Sequence, residues 1–365
     1  MKLLFALPGF HREERGAEVA LLAVADALAR SGDEVTVAGA GQDRAGTAYR
    51  FQHIRAAHRT RFERWPHFPP FRSETAWEDA SFAWGLRQHF RMAEFDATVT
   101  CSYPFTHWAL QSGAGSKSPL NIFVTQNGDW PAFSNKAEFR FFRCDGLVCT
   151  NPDYEERNRD RWETALIPNG IDPARYANIA ANRADFGLPD GVPLVLMVSA
   201  FIDSKRVLDG MRAVAALPGV HFAVAGDGPL RSEVDALASA ILPGRFTRLT
   251  LPATDMPRLY ACADAFLHMS LEESFGNVFV EAMASGLPIV GHDTPRLQWI
   301  VGQRNTLCDS RDSGAVSAAL SRAIVTGRGA ADPRAADFGW DRIAQLYRAF
   351  ITRLIDARSA QKPAA

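Results

Sequence analysis

The stretch from Ala265 to Asp293, AFLHMSLEESFGNVFVEAMASGLPIVGHD, constrains the fold more than any other part of the chain. Ala265 to Met269 is an apolar run of strand length, Ser270 to Glu273 is polar loop chemistry, and Val278 to Ala284 is built from good helix formers. Gly286 and Pro288 close that helix, and Leu287 to Val290 resumes as a second apolar strand. Strand, loop, helix and strand in this order make a βαβ unit, which takes its ligands at the carboxyl ends of the strands.

The same alternation runs along the whole chain. Lys2 to Leu7, Glu34 to Ala38, Ala97 to Cys101, Asn121 to Thr125 and Gly146 to Thr150 read as strands, with an amphipathic helix at Ala17 to Arg30. From Asp172 to Pro193 the periodicity lapses into a linker-like segment. A second series then begins with strands at Leu194 to Ser199, His221 to Ala225 and Arg248 to Leu251, and helices running to Ala216 and from Met256 to Ala263. Trp340 to Asp356 is a last amphipathic helix, and the tail from Ala360 to Ala365 is expected to be disordered. At 365 residues the chain exceeds what one core usually supports, ~250–300 residues. The expected fold class is therefore α/β, with two Rossmann-like doubly wound parallel sheets facing across a cleft.

Charge excludes one class of partner. With 40 basic and 41 acidic side chains the net charge is −1, so no global attraction to nucleic acid exists. Tyr49 to Arg72 is a local exception: Arg50, Arg55, Arg59, Arg61, Arg64 and Arg72 interleave with Phe51, Phe62, Trp65, Phe68 and Phe71, against the single acid Glu63. Such a mixture suits anionic acceptors, lipid headgroups or single-stranded nucleic acid, or else forms a surface in which arginine stems lie over aromatic rings. Five cysteines without a Cys-x-x-Cys point to a reduced, cytoplasmic compartment, and no apolar run approaches the ~20 residues of a membrane span. Any membrane contact is expected to be peripheral, at the inner face, through residues 49–72.

Two carboxylates in the central stretch bear on chemistry. Glu273 lies in the loop and Glu281 inside the helix, so they bracket a helix N-terminus whose unpaired N–H groups suit phosphate. Gly276 has no Cβ to keep a ligand from the backbone. Carboxylates repel phosphate and accept from sugar hydroxyls, so the pattern reads as a nucleotide-sugar site. The alternative is a helix cap at Glu273 and a solvated Glu281.

The string Glu273-Ser274-Phe275-Gly276-Asn277 followed by Glu281-Ala282-Met283-Ala284-Ser285-Gly286-Leu287-Pro288 closely resembles the Glu-x7-Glu signature of the family 4 retaining glycosyltransferases, which have the GT-B fold. The resemblance implies domains at 1–172, with residues 338–365 packing back on it, and at 173–337, the donor-binding domain. It implies that Glu281 holds the ribose, Glu273 the transferred sugar, and the backbone of Phe275, Gly276 and Asn277 the sugar or phosphate, with Lys205 on the diphosphate. In the opening unit Gly16 holds the place of a loop glycine near the diphosphate, although Arg15 precedes it where a second glycine is frequent. Asn127 stands at or beside the place where many family members carry a histidine near the sugar's reactive carbon; an amide there can hold a hydroxyl but cannot shuttle protons. Ala200 occupies the place of a diphosphate arginine, and Arg206 is the candidate to take over its task unless it pairs with Asp209 at i+3.

The implied activity is transfer of a hexose, with retention, from a UDP- or GDP-sugar to a glycan, lipid or small-molecule acceptor, in the manner of cell-envelope polysaccharide synthesis. No Asp-x-Asp pair is present, so a metal-independent mechanism without a cofactor is expected. A sugar-nucleotide epimerase of the same fold and a catalytically silent binding protein are the alternatives.

Overall fold

Strand β1 (Lys2–Ala6) is buried at every position after Lys2, as a strand covered on both faces must be. It pairs in parallel with β2 (Glu34–Gly39) and β4 (Ala97–Thr100), Phe5 standing opposite Val37 and Val99. In the computed structural model, which describes residues 1–111, 118–135, 139–180, 182–302 and 306–360, this sheet belongs to the first of two units, Met1–Gly170 with Trp340–Ala365. With β3 (Arg50–His53), β5 (Leu120–Val124), β6 (Gly146–Cys149) and β7 (Thr164–Leu166) the strand order is β3-β2-β1-β4-β5-β6-β7, all parallel. Helices α1 (Gly16–Arg30), α2 (Glu74–His89), α3 (Phe105–Leu110), α4 (Trp130–Phe133) and α5 (Pro152–Asn158) lie between the strands.

The second unit, Ile171–Gly339, holds a sheet ordered β10-β9-β8-β11-β12-β13. Its strands are β8 (Leu194–Val198), β9 (His221–Ala225), β10 (Phe246–Leu249), β11 (Ala265–Leu267), β12 (Ile289–His292) and β13 (Thr306–Cys308). They alternate with α6 (Val207–Ala215), α7 (Arg231–Ile241), α8 (Met256–Cys262), α9 (Asn277–Ala284), α10 (Pro295–Val301) and α11 (Ser313–Thr326). Counting within each unit, both sheets follow the 3-2-1-4-5-6 order of doubly wound folds, the first with one strand more. Their switch points lie between β1 and β4 and between β8 and β11.

Helix α12 (Trp340–Ala360) returns to the first unit. It places Ile343, Tyr347, Phe350 and Ile351 in one core with Leu3, Phe5, Leu21 and Leu28. Gly146 of β6 has no room for a side chain, because a Cβ would lie 2.6 Å from Leu354 and 2.8 Å from Phe350. The tail expected after Ala360 lies outside the described residues.

The linker-like reading of 172–193 is corrected. Tyr176 and Leu188 are buried in the second core, and Arg183 donates to the carbonyls of Cys262, Pro189 and Val192 and to Asp264. The segment carries no period because it contributes single anchors, not a repeating face. Strand β12 begins at Ile289, not Leu287. Gly286, at φ +72°, donates to Met283 and Leu287 donates to Ala282, so Leu287 closes α9 through a Schellman-type turn.

Candidate functional site

The switch point of the second unit gathers the predicted donor residues from two strands. The turn after β8 carries Lys205, and the loop after β11 carries Glu273, which meet in an ion pair. Glu273 Oε1 also lies 3.1 Å from Nε2 of His268, a buried residue directly following β11. Burial pushes the Glu273 carboxyl up, but the His268 hydrogen bond and the Lys205 ammonium outweigh it and hold it down at about 2. The loop is fixed from outside the cluster too, since Arg296 donates to the Glu273 carbonyl.

Helix α9 starts at the end of that loop. Gly276 is its N-cap residue at φ +90°, and a Cβ there would lie 2.7 Å from the Phe279 ring, so both backbone conformation and space demand glycine. The Phe275 side chain is buried against Phe338 at 5.6 Å, which anchors the turn from below. Among the described residues the N–H groups of Phe275, Gly276 and Asn277 donate to no protein acceptor. They form an open donor set at a helix N-terminus.

Glu281 faces a different environment. The Tyr260 hydroxyl donates to its Oε2 at 2.8 Å, and the Tyr176 ring packs edge to face on the Tyr260 ring at 5.6 Å. Burial raises the Glu281 carboxyl above its ordinary value, with the two tyrosines and Arg175 pulling the other way. The Tyr260 donor orients the carboxylate without exhausting its roughly four lone-pair sites. It is half-buried, and neither a solvated helix residue nor a cap.

Arg206 does not offer a free guanidinium. It pairs with Asp209 at 2.9 Å and donates to the Ser310 carbonyl at 3.1 Å, so the i+3 pairing is the one present. Its backbone sits in the left-handed region at φ +53°, where it caps the start of α6. Ala200 is exposed beside Phe201 and supplies no charge.

In the first unit Gly16 opens α1 with free space where a Cβ would stand. Beneath it the Glu18 carboxylate is buried and bonded by Arg15 at 2.5 Å, so this helix start already holds an anion. Asn127 is exposed in the turn after β5, its amide 3.9 Å from Cys101 Sγ. Its neighbour Gln126 exchanges amide hydrogen bonds with Asn169 of the Pro168-Asn169-Gly170 segment.

The segment 49–72 divides by function of its charges. Arg59 donates to buried Glu78 at 2.8 Å and so fastens the segment to α2, whereas Arg55, Arg61 and Arg64 are exposed. Trp65 and Phe68 are about half exposed, 47% and 46%, and pack around Trp77 with Phe71.

Sequence reasoning missed His268, Tyr176 and Tyr260. A histidine ending the apolar run AFLH was the available signal for the first. The tyrosines gave none, because they reach Glu281 only through the fold.

Two doubly wound sheets, one with carboxylates, a lysine and open backbone donors at its switch point, define a two-domain protein of Rossmann-like type built on the GT-B plan. The profile described as Glycosyltransferase Family 4 matches residues 15–175, and that described as Glycosyl transferases group 1 matches residues 192–325; the chain belongs to this family. The lipopolysaccharide core biosynthesis glycosyltransferase LpsE of Rhizobium meliloti (strain 1021) is 28% identical over 207 residues, 55% of this chain and 59% of the relative. The chain thus spans little more than half the length of that relative, and less of others it matches. Sucrose-phosphate synthase from Thermosynechococcus elongatus superposes with a TM-score of 0.70 at 20% identity, over 99% of this chain and 96% of its own. Anabaena Alr3699/HepE, solved with UDP-glucose, superposes at 0.67 and 17% identity, over 99% and 98%.

Proposed function

We propose that the chain is a retaining glycosyltransferase that takes a hexose from a nucleotide-sugar donor without a divalent cation. The observation that carries this reading is the switch point of the second unit, where Lys205, Glu273 and the open N–H groups of α9 converge and Glu281 follows eight residues on. A departing diphosphate needs positive charge or oriented donors, and a lysine with a helix N-terminus supplies both. Glu273, ionised at neutral pH, accepts from the hydroxyls of the transferred sugar, and Glu281, aimed by Tyr260, accepts from the ribose. Asn127 is available to a sugar hydroxyl. The leaving phosphate itself takes the acceptor's proton.

Incubation with UDP-glucose, UDP-galactose and GDP-mannose, with and without EDTA, tests this. Release of nucleoside diphosphate, with an α-linked product from an α-linked donor by NMR and an unchanged rate in EDTA, is the expected result. Inverted product, loss of the rate in chelator, an epimerised nucleotide-sugar or binding without turnover would each refute the corresponding part.

The acceptor reading is a cell-envelope glycan or lipid met at the cytoplasmic membrane face. It is supported by the named role of the Rhizobium relative and by the exposed Trp65, Phe68 and arginines of 49–72. No helix among the described residues is long and apolar enough to cross a membrane. Replacing Arg55, Arg61 and Arg64 by serine is expected to reduce sedimentation with phosphatidylglycerol vesicles at low salt by roughly tenfold or more, at about 1 kcal/mol per charge. Arg59 stays in place because it holds the fold.

A further inference from the structure

His268 reaches Glu273 from within the core of the second unit. The residue is 3% exposed and its ring stacks on Phe279 at 4.8 Å and 28°. Its Nδ1 accepts the Ser270 N–H at 3.3 Å, so Nε2 carries the proton and donates it to Glu273 Oε1 at 3.1 Å. Lys205 meets the same oxygen.

These two donors differ in freedom. Lys205 reaches Glu273 on a flexible stem from a turn, with its side chain 25% exposed. His268 is held by burial, by the stacked ring and by the Ser270 amide. A diphosphate carries more negative charge than one carboxylate and draws the lysine away, which leaves Glu273, 18% exposed, short of its cation. Phe266, Leu267 and Met269 around His268 are fully buried apolar residues, and a leucine would serve packing equally well. What histidine adds is the directed N–H to Glu273 and, at Nδ1, an acceptor for the Ser270 N–H.

We propose that His268 is a positioning residue that keeps the Glu273 carboxylate ionised and aimed at the donor sugar when Lys205 transfers to the diphosphate. The inference deepens the donor-site reading and rests on it. His268→Gln retains a donor near the position of Nε2, whereas His268→Leu removes it. UDP affinity by calorimetry is expected to stay within about twofold in both, because the diphosphate is held elsewhere. With UDP-glucose as donor, or whichever of the three donors turns over, kcat is expected to fall at least about tenfold in His268→Leu and to recover to within about threefold of wild type in His268→Gln. Equal loss in both variants, or none in either, overturns the proposal.

A second arm needs no turnover. The Glu273 carboxyl, labelled with 13C and assigned through Glu273→Gln, is titrated by NMR in Lys205→Met and in Lys205→Met/His268→Leu. Its midpoint is expected below the ordinary glutamate value in the first, and at least about one pH unit higher in the second. Coincident titrations overturn the proposal. If no donor is turned over, the donor-site reading fails and the titration alone decides the role of His268.

Discussion

Glu273 and Glu281 stand eight residues apart, and their protonation is driven in opposite directions. Glu273 is held at about 2 against an ordinary 4.5, so its contribution to stability is present above pH 4.5 and lost as pH falls toward 2. Glu281 is raised, so its ionisation opposes folding as pH climbs above 4.5 through its folded value. Between pH 4.5 and 2 the wild type is expected to lose on the order of 3 kcal/mol through Glu273. Glu273→Gln should flatten that limb of the melting curve, and an unchanged limb would assign the acid transition to other groups. At Glu281 the expectation concerns ligand: Glu281→Gln should weaken UDP binding roughly tenfold or more, at ~1.5–3 kcal/mol for a hydrogen bond to a charged acceptor. Calorimetry that finds equal affinities would remove the ribose from this carboxylate.

Among elements, α9 depends most on a single residue. Gly276 turns the chain at φ +90° under the Phe279 ring, and the same turn leaves the three N–H groups open. Gly276→Ala combines left-handed strain with a contact of 2.7 Å, a cost of about 1–3 kcal/mol unless the turn reorganises. Reorganisation would redirect the N–H groups. The variant is therefore expected to lose both stability and UDP affinity, read by thermal melting and calorimetry on one preparation. Gly286 at the other end serves closure alone, in a turn whose Cβ position is 2.2 Å from the Gly329 carbonyl.

At the scale of the molecule the telling element is α12, distant in sequence from the sheet it covers. It buries Ile343, Tyr347, Phe350, Ile351 and Leu354 in the first core. At about 1.5–3 kcal/mol per large side chain, this matches the whole stability of a typical domain. Truncation before Trp340 is expected to unfold the first unit while the second keeps its protected amides, as hydrogen exchange would show. Uniform protection in both units would contradict that.

The sequence by itself determined the alternation of strands and helices, the two sheets, the glycine at the head of α9 and the pairing of Glu273 with Glu281 around it. Each of these is written in a window of a few residues, where periodicity and backbone preference act locally. Edge strands of three residues, such as β7 and β13, fell below that signal, and segment 172–193 hid its anchors for the same reason. The tertiary structure alone decided that Lys205 meets Glu273, that His268 stands behind it, that Tyr260, packed on Tyr176, aims Glu281, and that Arg206 is tied to Ser310. Those partners lie on different strands and helices, and which of them meet follows from strand order across the sheet. A 3-2-1-4-5-6 arrangement sets β8 beside β11 although β9 and β10 intervene in the chain, and no local pattern records that adjacency.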